Sequence, residues 1–117
     1  MFRLMLVDDQ APFRQVIRKM LEETAEFQII AEAEDGSMAV TMIDRLDPDL
    51  VLMDVQMPLL NGFEAARQIL KKKPSMKIAL ASMDDESEYS RVALEIGAVA
   101  YFRKQDLSAE LLLELLR

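Results

Sequence analysis

The chain alternates five short apolar runs with five stretches of helical period. The runs cover Arg3–Val7, Phe27–Ala33, Leu50–Met53, Lys77–Ala81 and Ala100–Arg103. Valine, isoleucine, leucine and methionine fill them with little alternation, as strands covered on both faces require. Between the runs, Phe13, Val16, Ile17, Met20 and Leu21 recur at the i, i+3, i+4, i+7, i+8 spacing of a helix face. Ala39, Met42, Ile43 and Leu46 do the same, as do Tyr89, Val92, Ala93 and Ile96. A third helix, from about Asn61 to Lys72, is expected to bury Phe63, Ala66, Ile69 and Leu70. A fifth begins near Ser108 and continues to Arg117. Pro12 suits a first helical turn, Ser37 and Asn61 suit N-caps, and Gly97 suits a C-terminal cap. Pro48 and Pro74 sit just past helix ends. Strand and helix alternating with short connections predicts an α/β fold, a (βα)5 doubly wound parallel sheet.

The ends of the strands carry the chemistry. "MLVDD" closes the first on Asp8 and Asp9, and "LVLMD" closes the third on Asp54. In an open sheet of order 2-1-3-4-5, ligands bind beyond the carboxyl ends of the strands where the order reverses, between the first and third. That topology brings all three acids to one crevice. Two unit charges ~4 Å apart repel by roughly 4 kcal/mol near a protein surface. A cluster of three must therefore raise a pKa or bind a cation. Ser82 ends the fourth strand and Lys104 the fifth, adding a hydroxyl and an ammonium to the same crevice. Carboxylates, a divalent ion, a donor hydroxyl and a cation together suit phosphoryl chemistry, in which an aspartate can act as nucleophile.

Composition narrows this further. The 117 residues form one domain, and 51 % hydrophobic with 30 % charged residues suits a packed globule. There is no cysteine and no histidine. Disulfides, thiolate sites and Ser-His-Asp hydrolysis are excluded, and the oxygen-only ligand set selects magnesium or manganese. A net charge of −7 disfavours direct nucleic-acid binding by this domain. No apolar run spans a bilayer, so no membrane association and a cytoplasmic location are expected. "VDDQAP" puts two negative charges where a flavin phosphate needs a hydroxyl- or glycine-rich loop. A phosphohydrolase of the acyl-phosphate type would want its nucleophile after the first strand and a cap domain.

Taken with "LVDD", "LVLMDVQMPLLNG", Ser82 and "GAVAYFRK", the chain resembles the receiver domain of bacterial two-component response regulators. The resemblance spans residues 1–117 and implies the flavodoxin-like strand order. It implies that Asp54 accepts a phosphoryl group from a sensor histidine kinase. Mg²⁺ would be held by Asp8, Asp9, Asp54 and the backbone carbonyl of Gln56. Ser82 and Lys104 would contact the phosphoryl group, and Tyr101 would be an aromatic switch that follows Ser82. The domain would be a signalling switch and not an enzyme, beyond its own Mg²⁺-dependent phosphorylation and dephosphorylation. Its output surface would be made by the fourth helix, fifth strand and fifth helix, with a homodimer on phosphorylation as one outcome.

"DVQMP..NG.EAARQIL" and "GAVAYFRKQDLSAELLLELL" further resemble regulators carrying a C-terminal helix-turn-helix domain, so the chain is expected to be part of a longer transcription regulator. The alternative is a degenerate receiver that binds proteins without phosphate. Met83 departs from the family, which favours a small residue there; it is expected to narrow access to the site and slow both phosphorylation by small donors and hydrolysis. Gln56 and Asp84 flank the site at positions that, by the resemblance, would tune how water attacks the acyl phosphate. The last helix has more leucines than one core face takes. Either Leu113 and a neighbour stay exposed as a partner surface, or the helix continues a longer packed one.

Overall fold

The computed structural model describes residues 1–84 and 87–117, and the backbone alone of Ser87. Five parallel strands lie in the order β2-β1-β3-β4-β5. The elements are β1 (Phe2–Val7), α1 (Ala11–Glu22), β2 (Phe27–Ala33), α2 (Gly36–Met42), β3 (Leu50–Asp54), α3 (Gly62–Lys72), β4 (Ile78–Ser82), α4 (Ser87–Ile96), β5 (Ala100–Arg103) and α5 (Ala109–Glu114). This is the flavodoxin-like α/β architecture that the strand–helix alternation predicts.

Each strand sends alternate residues to opposite faces, and both faces are apolar. Met5, Val7, Val51, Met53, Ile78 and Leu80 join one core under α2, α3 and α4. Leu4, Leu6, Leu50, Leu52, Ala79 and Ala81 join the other under α1 and α5. The sheet is thus held from both sides, and its carboxyl ends form a fixed rim.

Several boundaries differ from expectation, each for a local reason. Asp54 is the last residue of β3, because its neighbours keep the ladder in register through the pair Asp54–Ala81. β4 runs one residue later than expected and so contains Ser82. Lys104 lies just past β5, where it opens a 3-10 turn over Lys104–Asp106. The cap of α2 is Asp35, not Ser37: the Asp35 carboxylate accepts from the Met38 N–H at 2.7 Å, and the helix has already begun at Gly36. That helix ends at Met42, so Leu46 lies in the following loop. Val16 is 60 % exposed, since the narrow buried stripe of α1 needs only Ile17 and Leu21. α5 stops at Glu114, and Leu113 is 4 % exposed, packed in the core beside Leu112. It is therefore not a partner surface.

Other signals hold. Pro12 lies in the first turn of α1. Asn61 caps α3 by accepting from the Glu64 N–H at 3.0 Å. Gly97 takes φ 109°, and the bonds Ala98 N–H to Ala93 O (3.0 Å) and Gly97 N–H to Leu94 O (3.1 Å) make a Schellman end to α4.

Gly62 matters for a different reason. Its N–H donates to Val55 O at 2.8 Å, and an added Cβ would lie 2.2 Å from Asp54 O and 2.9 Å from Val55 Cα. The start of α3 is therefore pressed against the backbone that carries Asp54. Gly62→Ala is expected to cost about 1–3 kcal/mol, the range for overpacking. Urea unfolding checks this; a variant within ~0.5 kcal/mol of the parent, the scatter of neutral surface changes, contradicts the packing account.

Candidate functional site

β1 ends by turning its chain over the sheet edge. The Asp8 N–H donates to Ala33 O at 3.0 Å and so extends the ladder by one bond. Asp8 Oδ1 accepts from the Gln10 N–H at 2.9 Å, a local turn that fixes the carboxylate. Asp8 is 1 % exposed, while Asp9 faces solvent. Across the switch point, Asp54 is buried and its Oδ1 accepts from the Gln56 N–H at 3.3 Å. One oxygen from each of Asp8, Asp9 and Asp54 lies within 4.8 Å of the others. The three acids meet, as the topology requires.

Lys104 reaches this cluster from beyond β5. Its Nζ lies 2.7 Å from Asp8 Oδ2 and 3.5 Å from Asp54 Oδ2, and 4.3 Å from the centre of the Phe13 ring. The ammonium is thus held by two carboxylates and an aromatic face in a nearly closed site. Among the described residues, Asp8 Oδ2 has no hydrogen-bond partner although it is fully buried. One ammonium does not satisfy three carboxylates. Burial pushes the Asp54 carboxyl up to about 6, with the Asp8 charge adding to the rise. Lys104 and the Gln56 N–H oppose it, and Asp9 adds a smaller push upward.

A fully buried carboxylate oxygen that has an ammonium beside it but no hydrogen bond among the described residues, together with a tight all-oxygen set, fits a hard divalent cation such as Mg²⁺. Asp8, Asp9 and Asp54 are the side chains that would hold it.

A second layer of contacts joins the site to its surroundings. Ser82 is fully buried, and its Oγ accepts from the Asp84 N–H at 3.1 Å. The Gln56 side-chain amide donates to Asp84 Oδ2 at 2.8 Å and to the Tyr89 hydroxyl at 3.4 Å. The Tyr101 hydroxyl donates to Asp84 O at 3.0 Å, and its ring packs edge-on against Tyr89. Asp84 therefore touches Ser82, Gln56 and Tyr101 at once. Met83 is 63 % exposed. Beside the acids a groove of about 550 Å³, lined in part by Asp9, Gln56, Met57, Phe63 and Tyr89, leaves room for an incoming group.

Three contributors escape the strand-end logic. Phe13 reads as an ordinary core position, yet it faces the Lys104 ammonium. The Arg14 Nη1 donates to Asp8 O at 2.6 Å and its Nε to Glu32 Oε1 at 3.1 Å. Glu32 had a visible signal: it is the one charged residue inside "FQIIAEA". Arg14 had none beyond its place one turn into a helix.

The family model described as the response regulator receiver domain matches residues 4–117. The transcriptional regulatory protein DegU of Brevibacillus brevis is 34 % identical over 112 residues, covering 96 % of this chain and 47 % of its own. A protein-glutamate methylesterase/protein-glutamine glutaminase of Methanococcus maripaludis is 34 % identical over 110 residues, covering 93 % of this chain and 30 % of its own. The chain thus spans about half or less of the length of these relatives. A LuxR-family two-component response regulator from Aurantimonas sp. SI85-9A1 superposes with a TM-score of 0.88 at 33 % identity, covering 96 % of this chain and 80 % of that one. Among the described residues no helix is long and apolar enough to cross a membrane. Sheet order, clustered acids and the match over nearly every residue converge: the chain belongs to the response regulator receiver domains of two-component signalling.

Proposed function

We propose that this domain is a phosphorylation-controlled switch whose acceptor is Asp54. The observation that carries the reading is the placement of Lys104 Nζ within 3.5 Å of both Asp8 and Asp54, at the point where three acid oxygens converge. A carboxyl with a pKa of about 6 is mostly ionised at neutral pH, so it can attack as the carboxylate. An Asp54 oxygen forms a bond to the phosphorus of a phosphohistidine on a sensor kinase. The P–N bond breaks, and the imidazole leaves with the electron pair and takes up a proton. Mg²⁺, when bound by Asp8, Asp9, Asp54 and the Gln56 carbonyl, would neutralise charge on the phosphoryl oxygens.

Lys104 supplies a fixed positive charge on the same oxygens. Ser82, released from the Asp84 N–H, donates its hydroxyl to one of them. That move unties the contacts that Asp84 makes with Gln56 and Tyr101. Tyr101 then shifts with Ser82 and reshapes the surface of α4, β5 and α5, where Leu94 and Val99 already lie exposed. A second copy of the domain is one partner for that surface, giving a homodimer on phosphorylation. The output is transcription, exerted through a C-terminal DNA-binding domain of a longer cytoplasmic regulator. The DegU relative, named as a transcriptional regulator, supports that reading.

Beryllofluoride binding tests the switch. Mg²⁺-dependent uptake, seen as amide shifts near Asp54, Ser82 and Tyr101, is expected. No uptake would leave the domain as a binding module that works without phosphate.

Met83 sets a rate in this scheme. Its exposed thioether stands beside Ser82. Met83→Ala is expected to accelerate phosphorylation by acetyl phosphate and hydrolysis of the product, each by several-fold. Rates equal to those of the parent would remove Met83 from the access path.

A further inference from the structure

We propose that Arg14 is a positioning residue for the acid cluster: its guanidinium fixes the turn that carries Asp8 and Asp9, and so sets how tightly a divalent cation is held. The inference rests on the metal-dependent reading above.

The Asp8 carbonyl lies past Val7, the last residue of β1 in register with either neighbouring strand. Arg14 Nη1 caps that carbonyl at 2.6 Å. The same guanidinium is held from the other side by Glu32, whose second oxygen is taken by Arg18 through Nε at 3.1 Å and through Nη2. Arg14 is thereby fixed in one place by a carboxylate it shares with Arg18, while its free arm grips the backbone of a proposed metal ligand. Donor groups that hold metal ligands in place typically change metal affinity by ~10–100-fold when removed.

The sheet is irregular in the way this clamp requires. Leu4 pairs with Ile29 but Met5 pairs with Ala31, so Ile30 is an extra residue in β2. After that bulge Glu32 pairs with Leu6, whose side chain faces α1 and α5. Without it Glu32 would pair with Val7 and point into the core under α2 and α3, with no arginine to meet it. The bulge thus turns a lone carboxylate out of one apolar core and toward two arginines.

A plain staple between α1 and β2 would need the same contacts, so the test must separate the two. Arg14 and Arg18 both bind Glu32, but among the described contacts only Arg14 reaches Asp8. Mg²⁺ affinity is measured by calorimetry on the wild-type chain and on Arg14→Met, Arg14→Lys and Arg18→Met, with thermal unfolding alongside. Arg14→Met is expected to weaken Mg²⁺ binding at least ~10-fold. Arg14→Lys is expected to fall between it and wild type, and Arg18→Met to stay within about twofold by the same reasoning. The sign is informative. Removing a cation near an acidic site would, by charge alone, tighten Mg²⁺ binding. Unchanged or tighter binding by Arg14→Met, or equal weakening by Arg18→Met, overturns the proposal. If Arg14→Met does not fold, Arg14→Lys decides by the same criterion. Wild type that takes up no Mg²⁺ defeats the underlying reading itself, a different outcome from a variant that matches wild type.

Discussion

Asp54→Asn is expected to make the metal-free domain more stable at pH 7–8 while removing its ability to accept a phosphoryl group. The carboxyl titrates near 6 in the fold, against 3.8 when unperturbed, chiefly because it is buried and next because Asp8 is close. The folded state therefore holds this proton more tightly than the unfolded chain does. Below about pH 3, well under the unfolded value of 3.8, both states are protonated and the group is neutral to stability. As pH rises toward 6 the unfolded chain loses its proton first, and stability falls. Above the folded pKa the cost is complete, on the order of 2–3 kcal/mol at ~1.4 kcal/mol per pKa unit. Asparagine keeps the oxygen that accepts from the Gln56 N–H and discards the charge. The stabilisation should vanish below about pH 3, grow between the unfolded value of 3.8 and the folded value of about 6, and level off above. Mg²⁺ should stabilise wild type and narrow the difference. Denaturant unfolding across this range checks it. A variant less stable than wild type at pH 7.5 without Mg²⁺, or a gain that ignores pH, contradicts the account of a strained charge.

The second large effect has the opposite sign. Lys104→Met is expected to cost about 3–5 kcal/mol at neutral pH without Mg²⁺, the range for breaking a buried ion pair by removing one partner. The methionine fills most of the volume, so the loss is electrostatic. Asp8 and Asp54 would be left buried together with no ammonium between them. The contact of Lys104 with the Phe13 ring adds ~1 kcal/mol or less. Two conditions should shrink the penalty. Acid neutralises the carboxylates, and Mg²⁺ replaces the missing positive charge. Phosphorylation should be lost in either case. A penalty under ~1 kcal/mol, the size of an exposed pair, would mean that Lys104 is held by something other than these acids. So would a large penalty indifferent to both pH and Mg²⁺.

The strand-end acids were the easiest part of this molecule to read. A doubly wound sheet has one switch point, so acids at the ends of the first and third strands, Asp8, Asp9 and Asp54, are expected to meet there, as they do. Unbroken apolar runs told which strands were covered on both faces. Boundaries were harder. Whether Asp54 closes β3 or follows it depends on its pairing with Ala81 across the ladder, which no single segment records. Asp35 and Ser37 are both good capping residues, and only the turn before Gly36 decides between them. Val16 and Leu113 show that helical period names a face but not its width: one is solvent-facing, the other in the core.

The contacts that hold the site in shape were not legible. Arg14 meets Glu32 because a one-residue bulge at Ile30 puts Glu32 on its side of the sheet, and its other arm reaches the Asp8 carbonyl. A bulge leaves almost no mark in an apolar run. The linkage of Asp84 to Ser82, Gln56 and Tyr101 is equally invisible, since it joins three separate loops and strands through one residue.

The central claim is that Asp54 takes the phosphoryl group with a divalent cation held by its acidic neighbours. Incubation with acetyl phosphate and Mg²⁺, followed by intact mass measurement, tests it most directly. The expected result is a gain of one phosphoryl group, absent when Mg²⁺ is chelated and absent in Asp54→Asn. A wild-type mass that never changes, or an Asp54→Asn variant that still gains the group, would contradict it.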